Sequence, residues 1–367
     1  MPQELPSADF LREEIASQID LAIERTMSVK EFQKIFKQIG RKLSARKMED
    51  FAGKLGDVYD TDKLNTLFLK IRETVTNHLL YDDKFITLYH NVENLDHLEK
   101  QLKTIFESYE TDVNKEAEAN KQIFFPKNRV DLREDDTVIL YQYLQVRELT
   151  VREEIDPDEL KDDLGDYFSQ IYGLKTDLIT CFDSIIIDLE RNLFIVMIDL
   201  ASILPKNELN VIQNNFTNFI KKQLGATLVL GNSLEEKILN LFPCIQAFYD
   251  EQIDDRSGVT EIYFKTTEGT AHHEKLNKNN ADIRKNLYHE SGVNGLKNTT
   301  INGIKLDETI TPYRISKKYY DRDIEVSLNS SYHALSSGDQ LLYSTFVYGS
   351  RSYEDIEFVI NKLLNLR

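Results

Sequence analysis

FDSIIIDLERNLFIVMIDL, residues 182–200, consists of two apolar runs around a short polar turn. Phe182 to Leu189 and Leu193 to Leu200 have the β-branched content of strands, and Glu190-Arg191-Asn192 has the length of a three-residue hairpin connection. Such a loop sets Asp183 directly opposite Asp199. Two carboxylates facing each other across a ladder destabilise it unless they are solvated, protonated or bridged by a cation. A divalent ion (Mg²⁺ or Mn²⁺) between them would suit phosphodiester hydrolysis, since it activates water and neutralises developing charge. Asp183 and Asp199 are therefore the candidate metal ligands. The alternative places both at strand ends in water.

Outward from this hairpin the chain from about 175 to 367 mixes strands and helices. Pro205 opens a helix closed by Gly225, and Ser233 with Glu236 caps the next, which Pro243 kinks. Val259 to Lys265 is a strand and Ile283 to His289 a helix. Asn302-Gly303 between Thr-Thr-Ile and Ile-Lys-Leu is the strongest hairpin signal in the chain.

Residues 1 to about 122 have helical periodicity almost throughout. Leu11, Ile15, Ile19 and Ala22 share one face, and Thr61 or Asp62 caps a helix carrying Leu64, Leu67, Phe68 and Ile71. Ser28 with Glu31 has capping-box spacing, followed by the apolar face Phe32, Ile35, Phe36, Ile39 and Leu43. Between these parts, TVILYQYLQV (137–146) has strand content, and Asp156-Pro157 starts a helix running to about Tyr172. Residues 131–166 hold 13 acidic and 4 basic side chains, more than half of the chain's net charge of −17. The expected fold is α+β: a helical N-terminal domain (1–122), an acidic connecting segment with strand and helix (123–174), and a mixed α/β C-terminal domain (175–367) with antiparallel hairpins.

With 41% hydrophobic and 29% charged residues, the 367-residue chain has a globular balance and room for more than one core. Only 14 glycines weaken any phosphate-loop reading, and no Walker A loop, GxGxxG, GxSxG, HExxH or CxxC is present. No cofactor is expected beyond the divalent metal of the hydrolase alternative. Two cysteines in apolar surroundings, Cys181 and Cys244, and no basic-then-apolar leader point to the reducing cytoplasm. The longest apolar stretch is twelve residues, too short for a bilayer span of about 20.

Two further constellations carry charge chemistry. His272, His273 and Glu274, with His289, gather titratable side chains suited to proton transfer, although adjacent histidines cannot share one ion from a helix. They lie in residues 271–322, where 10 basic against 6 acidic side chains would suit a phosphate-bearing ligand. Lys30, Lys34, Lys37 and Arg41, spaced four, three, four, form a basic stripe opposite the apolar face of their helix. Such a stripe fits an anionic partner, a phosphate backbone or a membrane surface, and an acidic chain argues against sequence-specific DNA reading. The expected role is a non-enzymatic interaction or regulatory subunit of an intracellular multi-protein system, with a protein partner or a second copy. A divergent metal-dependent nuclease or phosphohydrolase is the alternative. A place in bacterial anti-phage or foreign-DNA defence is a contextual reading that no residue carries.

Overall fold

The computed structural model describes residues 6–40, 45–58, 60–109, 124–155, 171–201, 208–223, 236–267, 269–277, 281–298, 300–301, 304–305, 310–338 and 340–366. In chain order the first helices are α1 (Ala8–Glu24), α2 (Val29–Gln38), α3 (Glu49–Lys54) and α4 (Thr61–Tyr81). The Ser7 hydroxyl caps α1 by accepting from the Phe10 N–H at 3.2 Å. The cap of α4 is Asp60, one residue ahead of the expected Thr61 or Asp62, accepting from the N–H groups of Asp62 and Lys63.

Strand β1 (Lys84–His90) then interrupts the stretch that has helical periodicity. Its sequence KFITLYH is β-branched and aromatic, and all but His90 are buried, so no amphipathic alternation marks it. Next come α5 (Leu95–Ser108), β2 (Phe125–Asp131), β3 (Val138–Ile155), β4 (Ile171–Asp188), β5 (Leu193–Asp199) and α6 (Leu209–Gln223). The remainder holds α7 (Phe242–Asp250), β6 (Ser257–Thr266), β7 (Ala271–Lys275), α8 (Leu287–Lys297), β8 (Thr300–Ile301) and β9 (Ile304–Lys305). It ends with β10 (Ile310–Tyr319), β11 (Ile324–Asn329), α9 (Tyr332–Ser337), β12 (Ser344–Tyr348) and α10 (Tyr353–Asn365). The fold is mixed α+β with antiparallel strand pairing. Among the described residues no helix is long and apolar enough to cross a membrane.

The chain gathers into two compact units, one of residues 1–84 with 240–367 and one of residues 85–239. In the first, α1 to α4 enclose a core of Leu11, Ile15, Phe32, Phe36, Phe51, Leu64, Leu67 and Ile71, with Phe36 and Phe51 stacked at 4.9 Å. Its strands run in the order β12-β11-β10-β6-β7. Pro312 has no N–H for a ladder, and the pairing of β10 with β6 shifts beside it, between Pro312 and Arg314. In the second unit the order is β2-β3-β4-β5-β1.

Several local expectations met different outcomes. Pro243 lies in the first turn of α7 and opens the helix instead of kinking it. The expected helix from Ile283 to His289 splits into a single 3₁₀ turn at Ile283–Lys285 and α8, because Asn286 is extended. Ile301 pairs with Ile304, the register a two-residue loop requires, while Asn302 and Gly303 lie outside the described residues. The helix expected after Pro205 is present as α6, with Leu209, Phe216 and Ile220 buried, while Pro205, Gly225 and Ser233 and most of the helix expected after Asp156 lie outside the described residues.

Candidate functional site

Helix α2 turns Phe32, Ile35 and Phe36 into the core and leaves Lys30, Lys34 and Lys37 exposed on the opposite side. None of these three lysines forms an ion pair or hydrogen bond with a described residue. Arg41 lies outside the described residues. Ser28 occupies the N-cap but makes no side-chain capping bond, so the expected capping box is not closed. Glu31 instead meets Arg351 Nε at 2.8 Å.

That contact forms one wall of a cavity of about 240 Å³ lined by Glu31, Lys34, His78, Asp82, Ser350 and Arg351. On α4, His78 Nδ1 lies 3.0 Å from Asp82 Oδ2, and Asp82 also accepts from the backbone N–H groups of Asp83 and Gly349. Burial works against the Asp82 anion, yet these donors hold its carboxyl below the usual value. Gly349 must be glycine here: φ is +82° and a Cβ would stand 2.3 Å from the Asp323 carbonyl oxygen. The turn therefore approaches closely enough to bury Ser350, whose hydroxyl has no hydrogen-bond partner among the described residues.

The histidines divide. On β7, His272 and His273 alternate faces, His272 stacked on Phe264 at 5.2 Å and His273 on Tyr263 at 3.9 Å. His273 Nε2 meets Glu261 at 2.8 Å. Glu274 and His289 do come together: Glu274 Oε2 is 2.9 Å from His289 Nδ1, and His289 Nε2 is 2.9 Å from the Tyr249 hydroxyl. With a neutral ring, the carboxylate fixes the proton on Nδ1 and leaves Nε2 to accept from Tyr249. Burial pushes the Tyr249 phenol up to about 12. Five of the surrounding basic side chains face carboxylates, Arg284 with Asp282, Lys285 with Asp255, Lys317 with Glu251, Lys318 with Asp323 and Arg322 with Asp355.

Asp183 and Asp199 do not face each other directly. β4 and β5 pair Asp188 with Leu193, so the turn has four residues, because the Leu189 N–H stays bonded to Thr137 O. The one-residue change removes the expected opposition. Both carboxylates are nevertheless buried and joined. Asp183 Oδ1 accepts from the Asp199 N–H at 3.0 Å, and Asp199 accepts from the N–H groups of Phe182 at 2.7 Å and Ala201 at 3.2 Å. Arg147, from β3, ion-pairs with Asp183 and donates to the Asp199 carbonyl at 2.9 Å. Burial pushes the Asp183 carboxyl up, opposed by Arg147 and the Asp199 N–H. A guanidinium thus supplies the positive charge that two nearby carboxylates require.

Among the described residues no three His, Cys, Asp or Glu side chains group so as to hold a metal ion. Arg147, Arg351 and Tyr249 escape sequence reading because each meets its partners across long sequence separations. Compared with known proteins, the chain matches no family model and no curated sequence.

Proposed function

We propose that the chain is a non-enzymatic interaction or regulatory subunit of a multi-protein system, presenting the basic face of α2 to an anionic partner. In this reading a helical N-terminal part docks and the strand-bearing remainder is scaffold. The observation that carries it is the stripe itself. Three lysines stand in solvent on one side of a helix whose other side is locked into a core, without intramolecular carboxylates among the described residues. The buried basic groups Arg147, Arg284 and Lys317, by contrast, are matched internally. A rigid row of uncompensated charge steers and orients an oppositely charged surface more than it stabilises the chain carrying it.

The metal-dependent hydrolase alternative draws less support. Asp183 and Asp199 use their oxygens on Arg147 and backbone N–H groups, and His272 and His273 point to opposite faces. Purification under native conditions, with mass measurement and elemental analysis, tests the choice. A stoichiometric protein partner without stoichiometric metal is the expected result. Stoichiometric Mg or Mn on a chain that purifies alone would overturn it.

A further inference from the structure

The cavity of about 240 Å³ beside α2 lies within the first unit and draws its walls from α2, α4 and the turn after Gly349. Four polar groups lining it have no partner among the described residues: the Lys34 ammonium, the Asn77 amide, His78 Nε2 and the Ser350 hydroxyl. Ser350 is fully buried, and a buried hydroxyl ordinarily finds a partner. The neighbouring carboxylates are engaged elsewhere. Glu31 meets Arg351, Asp323 meets Arg351 and Lys318, and Asp82 takes His78 Nδ1 and two backbone N–H groups. With a neutral ring, the Asp82 carboxylate keeps the His78 proton on Nδ1, so Nε2 is an acceptor.

We propose that the cavity binds the phosphoryl group of a small phosphate monoester, whose oxygens accept from Lys34, Ser350 and Asn77 while a phosphoryl O–H donates to His78 Nε2. Lys30 and Lys37 do not line the cavity, so this site is independent of the docking role of α2.

The four groups select among anions. A carboxylate brings two oxygens to three donors and, ionised at neutral pH, has no proton for Nε2. Sulfate lacks that proton too. A phosphate monoester ionises a second time near pH 6, so its monoanion presents accepting oxygens together with one O–H. Lys34 offsets the single negative charge. The volume exceeds that of a lone phosphate yet lies under the roughly 300–1,000 Å³ of pockets for drug-sized ligands, which suits a short organic remainder. Ile35 gives that remainder an apolar wall.

Isothermal titration calorimetry on the full chain at about pH 6 compares glycerol 3-phosphate, inorganic phosphate and sulfate. The wild type is expected to bind glycerol 3-phosphate at one site with Kd below about 1 mM, and sulfate at least about tenfold more weakly. Inorganic phosphate is expected to bind about threefold more weakly than the monoester, and a tie would overturn the monoester in favour of the free ion. Ser350→Ala should weaken the monoester about tenfold yet leave the melting temperature of the unliganded chain unchanged or higher, because the hydroxyl has no bond to lose. Lys34→Met should weaken it at least about tenfold, and Lys30→Met less than about twofold. A wild type that binds no monoester at about 10 mM, sulfate bound as tightly as the monoester, or unchanged affinity in Ser350→Ala would overturn the site. So would equal losses in Lys34→Met and Lys30→Met, which would place the anion on the outer row of α2.

Discussion

The buried triad of Arg147, Asp183 and Asp199 is where single side chains decide most. Arg147 and Asp183 are nearly inaccessible, so truncating the cation strands a buried carboxylate. Arg147→Met is expected to lose about 3–5 kcal/mol in denaturant unfolding; a loss under about 1 kcal/mol would mean the triad holds little together. Asp199→Asn separates a satisfied cluster from mere repulsion. The amide offers one accepting oxygen where two N–H groups arrive, so stability should fall by about 1–3 kcal/mol. An increase would indicate unrelieved repulsion between the carboxylates. Asp82 and Glu251 set the acid limit. Burial opposes both anions, but His78 with backbone donors for Asp82, and Lys317 with Lys362 for Glu251, hold their carboxyls below ordinary values. A depressed carboxyl contributes stability that is present above its unfolded pKa and lost as pH falls through the folded one. The contribution should therefore fade below about pH 4, and Asp82→Asn or Glu251→Gln should flatten that limb of a melting-temperature profile. The sequence exposes the aspartates of the triad but not its arginine, since Arg147 meets Asp183 only through the β3–β4 register.

At the scale of elements, legibility follows how local the cause is. The buried faces of α1 and α2 follow from 3.6-residue spacing, and the β8–β9 register follows from Asn302-Gly303. The cap of α2 does not, because the Glu31 carboxylate is turned to a partner distant in sequence, Arg351. Nor does the four-residue turn after Asp188, which is set by the Leu189 bond to Thr137 on another strand. Phe36→Ala should cost about 3–5 kcal/mol by emptying the stack on Phe51. Exchanging Lys30, Lys34 and Lys37 for Glu should each change stability by no more than about 0.5 kcal/mol. Gly349→Ala should cost more than about 1 kcal/mol, since both its φ and the Asp323 carbonyl forbid a Cβ. Thermal melts of these variants would check that ordering, and a triple lysine variant that unfolds would mean the stripe is structural.

For the whole molecule, no proline or glycine stands near residue 84, where the chain leaves the first unit, and near residue 240, where it returns, Pro243 reads only as the start of a helix. Such a return is encoded in which apolar faces fit each other, and a local pattern does not carry that information. Residues 85–239 include all five strands of the order β2-β3-β4-β5-β1 apart from Lys84. Expressed alone, this segment is expected to unfold cooperatively; an aggregated product would show that it does not fold independently. The chain has a net charge of −17, and among its described residues the α2 lysines form an exposed basic row; that contrast is the basis of the proposed docking role. The most direct test is retention of the co-purifying partner by the wild type and by Lys30→Glu/Lys34→Glu/Lys37→Glu across a salt series. The account predicts wild-type binding that weakens as salt rises, and a folded triple variant that has lost it at low salt. Equal retention of both proteins at low salt would contradict it.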